Sequence, residues 1–320
     1  MKIAILDDYQ QAVSQLDCIK LLQNKEYIIL DKTYKNPTEL AEKIKDIEIL
    51  VLIRERTQIT EELIQQLPNL KLISQTGKIS NHLNLDLCSK YNIAVAEGIG
   101  SPIAPAELTW NLIMDATRQI PQAIAAMQEG KWQINIGTTI ADQTIGIWGY
   151  GKIGQKIAQY AKVFGANVQI WGSETSRQKA IEDGFTTCKT KDEFFSTSDI
   201  ITLHLRLNDS TRGIVTYDDL IKMKSSAILV NTARAELIEK DAVINALNDG
   251  KPGLAALDVF EEEPILDVNN PYIKHPKVIC TPHLGYVEKN SYELYFSIAL
   301  ENVVNYINGE PTNIANPEIL

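Results

Sequence analysis

The chain has 320 residues, enough for about two domains, with a hydrophobic content of 44% and a net charge of −10 at neutral pH. That balance excludes nucleic acid or an anionic membrane surface as the main partner, and leaves room for a small anionic ligand held by a few local arginines. No apolar run is long enough to span a bilayer. With no secretory signal at the start, the four scattered cysteines, Cys18, Cys88, Cys188 and Cys280, are expected to be reduced, mostly buried thiols of a soluble cytoplasmic protein with no metal site.

Strand-length apolar runs open the chain at 2–6, 27–30, 49–53, 71–74 and 94–96, separated by helix-like stretches at 11–22, 37–45, 60–67 and 85–90. Pro37 and Thr60 are typical helix-entry residues. This alternation predicts a parallel sheet with helices on both faces. A long helix is expected over 102–120, interrupted at Pro121, with a further helical piece to about 131. A second series of strands follows at 144–148, 167–171, 200–205, 227–230, 254–259 and 278–280, and a long amphipathic run at 288–307 comes after the last strand. The pattern is that of an α/β protein with two doubly wound parallel-sheet domains. The second begins near residue 100, and the first is short of helix, so the terminal run is expected to return to it.

The second series opens on a strand, Thr144 to Trp148, followed at once by Gly149-Tyr150-Gly151-Lys152-Ile153-Gly154 and an amphipathic helix. In a dinucleotide-binding turn the first glycine permits the sharp turn, the second lets backbone approach a pyrophosphate, and the third lets the helix pack on the strand. The helix N-terminus then aims its free N–H groups and positive dipole end at the phosphates.

Ligands of such sheets sit beyond the carboxyl ends of the strands. Three polar residues stand there in consecutive strands of the second series. Arg234 follows Asn231-Thr232-Ala233, Glu263 closes Glu261-Glu262-Glu263-Pro264, and His283 follows Thr281-Pro282. Together they make an anion clamp, a carboxylate and a proton carrier, the set needed to move a hydride to or from a 2-oxo acid. His283 suits proton transfer because an imidazole titrates near the working pH. Glu263 is expected to hydrogen-bond and orient the ring, and Arg234 to hold and polarise the substrate carboxylate or carbonyl.

These blocks resemble the D-isomer-specific 2-hydroxyacid dehydrogenases over nearly the whole chain. The glycine unit resembles that family's fingerprint, and the segments ending in Arg234, Glu263-Pro264 and His283 resemble its three catalytic blocks in order and spacing. Ile73-Ser74-Gln75-Thr76-Gly77 is similar to its substrate loop, and Pro105-Ala106-Glu107-Leu108 to the start of its crossover helix. The resemblance implies a Rossmann coenzyme domain (101–284) inserted in a flavodoxin-like substrate domain built from both chain ends (1–100 and 285–320), and a homodimer. It assigns Thr232, Ala233, Asp258 and Gly285 to the coenzyme, with Asp258 toward the nicotinamide or, alternatively, a structural cap. Arg54, Thr76, Gly77 and Lys78 are assigned to the substrate across a cleft whose closure would exclude water.

Departures from the pattern bear on specificity. Ala235 replaces the glycine that follows the arginine. Gly77-Lys78-Ile79 replaces Gly-Val-Gly, which loses a glycine and adds a cation. His204-Leu205-Arg206 replaces His-x-Pro and puts Arg206 at the expected coenzyme rim. Where an NAD enzyme carries an acid for the ribose 2′-hydroxyl, this chain has Gly172, then Ser173, Glu174 and, further on, Arg177. Glycine, serine and a nearby arginine favour NADP, while Glu174 keeps NAD open. The substrate is expected to be a small 2-hydroxy or 2-oxo acid. Arg54 points toward 3-phosphoglycerate, and the Gly172 region toward a glyoxylate/hydroxypyruvate reductase. A coenzyme-sensing corepressor that acts by binding partners is the alternative of another class.

Overall fold

A computed structural model describes residues 1–320. The chain divides into two units, Met1–Ser101 with Glu288–Leu320, and Pro102–Val287.

In the first unit the apolar runs become five parallel strands: β1 (Lys2–Ile5), β2 (Glu26–Ile29), β3 (Ile49–Leu52), β4 (Leu72–Gln75) and β5 (Ala94–Ala96), in the order β2-β1-β3-β4-β5. Every residue of β3 and β4 is buried, as expected of parallel strands covered on both faces. Leu40, Ile44, Leu63 and Ile64 from the helices Pro37–Ile44 and Glu61–Gln65 join Leu50, Ile73 and Val95 in the core of one face. The terminal helix Lys289–Ile307 buries Tyr295, Phe296, Ala299, Leu300 and Val303 and packs against β3 and β4. Ser74 Oγ donates to the Ala299 carbonyl across this contact at 2.8 Å. Beyond the helix, Ile314 bridges Ala96 and the Ala315 amide donates to the Val95 carbonyl at 2.7 Å.

The expected helix over 11–22 is instead two 3₁₀ segments, Val13–Gln15 and Asp17–Leu22. Leu16 between them is extended (φ −74°, ψ 144°). Carboxylates outside the stretch, one just before it and one far along the chain, take the amides that a continuous helix would have used. Asp8 accepts from the Ala12 and Val13 amides, and Glu293 of the terminal helix accepts from those of Asp17 and Cys18. Local capping by Asp8 and tertiary capping by Glu293 thus override the amphipathic pattern.

The second unit has seven parallel strands: β6 (Thr144–Trp148), β7 (Asn167–Trp171), β8 (Thr186–Thr187), β9 (Ile200–Leu203), β10 (Ile228–Asn231), β11 (Leu254–Leu257) and β12 (Val278–Cys280), in the order β12-β11-β10-β9-β6-β7-β8. The strand order reverses between β6 and β9, and the glycine turn leaves β6 at that point. Helices Ile103–Arg118 and Lys152–Val163 cover one face with Leu112, Ile113, Ile157 and Ala161. Phe194, Phe195, Leu220 and Leu247 fill the other. The long helix breaks at Gln119 (φ 50°), two residues before Pro121, and resumes as Ile120–Gln128. No helix is long and apolar enough to cross a membrane. All four cysteines are free thiols, three of them buried.

His204, just past β9, meets the Thr202 hydroxyl at 3.0 Å through Nε2. Desolvation pushes its imidazole from 6.5 down to about 3. The folded chain therefore keeps His204 neutral in mild acid, whereas the unfolded chain takes up a proton near pH 6.5 and is favoured as the pH falls from there toward 3. His204→Gln, neutral throughout, should lose less of its urea midpoint than the parent between pH 7 and pH 4.5. Identical pH dependence for the two would contradict this.

Candidate active site

The glycine turn in the second unit is shaped by close backbone approaches. Gly149 has φ 102°, and a Cβ there would lie 2.6 Å from the His204 carbonyl oxygen. A Cβ on Gly154 would lie 2.0 Å from the Gly149 carbonyl oxygen, which explains why only glycine lets the helix sit this close to β6. At Gly151 the added Cβ would meet nothing within 4 Å. Open space stands at the second glycine, with the N-terminus of a twelve-residue helix, Lys152–Val163, beside it. That is the cradle a pyrophosphate requires, so these residues fit a dinucleotide. The side chains of the motif are not all turned to it. Tyr150 is buried against Phe185, and its hydroxyl donates to Asp183 at 2.9 Å. Burial and Asp183 raise its phenol well above the ordinary range. Ile153 packs on the core, and Lys152 is exposed. Any coenzyme contact at positions 150 and 153 is thus made by backbone.

Gly172 follows β7, and Ser173 caps the next helix, Glu174–Glu182, by accepting from the Ser176 amide at 3.3 Å. Glu174 is exposed in the first turn. The Arg177 guanidinium lies over the Trp171 ring, 5.0 Å from its centroid, and its buried Nε has no hydrogen-bond partner. Two strands across the sheet, Arg206 is exposed beyond β9.

Three neighbouring strands, β10, β11 and β12, deliver the polar set. After β10 the buried Asn231 side chain accepts from the Ala233 amide at 3.0 Å and donates to the Arg234 carbonyl at 2.9 Å, which shapes the turn that carries Arg234. Thr232 Oγ1 meets Thr109 Oγ1 at 2.6 Å. After β12 comes His283, with φ 52°, a left-handed conformation uncommon outside glycine, which histidine adopts more readily than most side chains. Its Nδ1 lies 2.6 Å from Glu263 Oε2, while Glu263 Oε1 accepts from the Phe260 amide at 2.8 Å. Glu263 is therefore fixed by its own loop before it meets the ring. The His283 side chain keeps 21% of its surface accessible.

Asp258, after β11, is 0% exposed. Its Oδ1 accepts from Thr281 Oγ1 at 2.6 Å and from the Leu284 amide at 2.7 Å, and its Oδ2 from the Gly285 amide at 2.9 Å. Burial raises the Asp258 carboxyl above its usual range, and these hydrogen bonds oppose the rise. The carboxylate thus clasps both sides of the turn that holds His283. Of the two roles expected for Asp258, the structural one matches this geometry. Asn231 was not singled out by sequence reasoning; its place as the last residue of a buried strand, followed by a polar turn, was the available signal.

The first unit assembles its own group. Arg54, past β3, is left-handed (φ 53°). Its amide donates to Thr76 Oγ1 at 2.9 Å, one guanidinium nitrogen reaches the Thr76 carbonyl at 3.3 Å, and its head lies 5.8 Å from the Tyr295 ring centroid. A Cβ on Gly77 would fall 1.8 Å from that guanidinium, so glycine at 77 is what admits Arg54 over the loop backbone. Lys78 is exposed and pairs with Glu97. Arg56 is held within the fold by the Asp7 carbonyl (2.6 Å) and the Tyr292 hydroxyl (3.1 Å).

A parallel sheet with a glycine-lined helix N-terminus at its switch point, and a histidine–carboxylate pair beyond its strand ends, has the form of a dinucleotide-binding domain with a polar site at its strand ends. Residues 110–285 match the family model "D-isomer specific 2-hydroxyacid dehydrogenase, NAD binding domain". The chain is 34% identical, over 99% of its length, to a D-3-phosphoglycerate dehydrogenase of Methanocaldococcus jannaschii, of which it covers 59%. It is 30% identical to a glyoxylate reductase of Aeropyrum pernix, with 91% of this chain and 90% of that one matched. A solved phosphoglycerate oxidoreductase from Vibrio cholerae O395 superposes with a TM-score of 0.94 at 52% identity, covering 97% of this chain and 99% of that one. The chain belongs to the D-isomer-specific 2-hydroxyacid dehydrogenase family. It spans less than two thirds of the length of the M. jannaschii phosphoglycerate dehydrogenase.

Proposed function

We propose that this chain exchanges hydride between a nicotinamide coenzyme and C2 of a small D-2-hydroxy acid, reducing the corresponding 2-oxo acid in the reverse direction. The observation that carries the reading is the 2.6 Å contact of His283 with Glu263 beyond β12 in an NAD-binding-domain family. The coenzyme supplies the hydride. His283 gives a proton to the substrate oxygen from Nε2, the nitrogen left free by Glu263. Glu263 holds the ring and balances its charge. Arg234 holds the substrate carboxylate or carbonyl by charge-assisted hydrogen bonds. Gly149 and Gly154 shape the turn and seat the helix, the backbone of Tyr150, Gly151, Lys152 and Ile153 would hold the pyrophosphate, and Thr232, Ala233 and Gly285 would line the same coenzyme.

For the substrate we favour an acid with a second anionic group, 3-phosphoglycerate among them. Arg54 fixed over Gly77 by Thr76 and Tyr295 supports this, with Lys78 as a further cation. A glyoxylate or hydroxypyruvate reductase is the second reading, favoured by the similarity to the A. pernix enzyme over nearly all of both chains. For the coenzyme we favour NADP, because Arg177 is seated on Trp171 one helical turn from Ser173, with Arg206 as the next cation. NAD, gripped by Glu174, is the alternative. We also propose a homodimer, since Trp132 (74% exposed), Ile136 (96%), Met127 and Ile124 crowd apolar surface onto one stretch of the second unit that a second copy would cover.

One experiment reads both substrate and coenzyme. Phosphohydroxypyruvate, hydroxypyruvate, glyoxylate and pyruvate are assayed with NADPH and NADH, using the parent and Arg177→Ala. The reading expects turnover with at least one acid, and fastest with the phosphorylated one. An arginine–phosphate contact is worth about 1.5–3 kcal/mol, so Arg177→Ala should weaken NADPH binding by roughly ten- to a hundredfold and leave NADH binding nearly unchanged. A parent that prefers NADH would overturn the NADP reading and point to Glu174. No turnover with any acid would favour a coenzyme-sensing binding protein instead.

A further inference from the structure

His283 is fixed at two points already described. Asp258 holds the backbone of its turn through Thr281, Leu284 and Gly285, and Glu263 holds Nδ1. Of these, only the Glu263 hydrogen bond bears on rotation of the imidazole about Cβ–Cγ. The Cβ–Cγ torsion of histidine has a broad, roughly two-fold well, and a single hydrogen bond at one edge of the ring leaves it some freedom to swing within that well. A swing of that kind carries Nε2 away from any one substrate oxygen, and small misplacements of a reacting group are costly in rate.

A third contact bears on the ring itself. Tyr286, three residues further on, is 8% exposed, and its ring stands at 75° to the imidazole with the centroids 5.3 Å apart. This is the edge-to-face arrangement that aromatic pairs prefer. The backbone that carries Tyr286 is held on both sides. The Val287 amide donates to the Leu284 carbonyl at 2.9 Å on one side, and Gly285 is held by Asp258 on the other. Immediately beyond, Glu288 caps the terminal helix by accepting from the Asn290 and Ser291 amides.

We propose that Tyr286 is a positioning residue for His283: its ring sets the plane of the imidazole and so the direction of Nε2. The inference rests on His283 as the proton carrier. It assigns the role to the aromatic ring, so phenylalanine should serve in its place and an aliphatic side chain of similar bulk should not.

The test compares the parent, Tyr286→Phe and Tyr286→Leu. Motion of the His283 ring is read by 13C relaxation at Cε1, which needs no turnover. Turnover on the best 2-oxo acid is read beside it. In Tyr286→Leu the ring should become more mobile, and kcat should fall about two- to tenfold, the range of one aromatic pair. KM and coenzyme affinity should stay near the parent values, and Tyr286→Phe should restore both ring order and kcat. Unchanged His283 ring order in Tyr286→Leu overturns the proposal. So does a Tyr286→Phe variant as mobile and slow as Tyr286→Leu, which would put the role on the hydroxyl. A parent inert toward every 2-oxo acid would refute the functional reading, while the relaxation measurement would still judge Tyr286.

Discussion

The site of the second unit depends on one buried carboxylate. Asp258 is fully enclosed at the end of β11, where an unpaired charge would be costly. Three donors converge on it, all from the turn that carries His283. The satisfaction of that buried charge and the unusual backbone of His283 are thus one arrangement. A left-handed conformation at a non-glycine residue persists only where the surroundings over-determine it, and here the clasp does so. With the turn fixed, Nδ1 reaches Glu263, which its own loop already holds through the Phe260 amide.

The same logic of buried polar groups shapes the other strand ends. Asn231 is 1% exposed, and its amide closes the turn after β10 that presents Arg234. In the first unit, Thr76 ties the left-handed Arg54 to β4, and the absence of a side chain at Gly77 lets the guanidinium lie over the loop. In each case the strand fixes a backbone position, a buried polar side chain shapes the turn, and the charged residue follows.

Much of this was readable from the amino acids, for a physical reason. Parallel sheets put functional groups past the carboxyl ends of their strands, so locating the apolar runs also located Arg234, Glu263 and His283. What escaped was set by contacts that the pattern of apolar residues does not carry. The stretch 11–22 has a helical pattern, but Asp8 and Glu293 take its amides. The helix Glu174–Glu182 buries only Ala180, so it has no apolar stripe to betray it. Tyr150 belongs by position to a coenzyme motif, yet its phenol serves the core. Asp258 was visible as a polar residue at a strand end, but the number and direction of its hydrogen bonds were not.

The central claim is that His283 transfers the proton when a 2-oxo acid is reduced. Its most direct test is steady-state reduction by His283→Ala beside the parent, with coenzyme binding measured separately. The account predicts a loss of kcat of about 10²–10⁴, with coenzyme affinity close to that of the parent. A variant that turns over at the parent rate would contradict it.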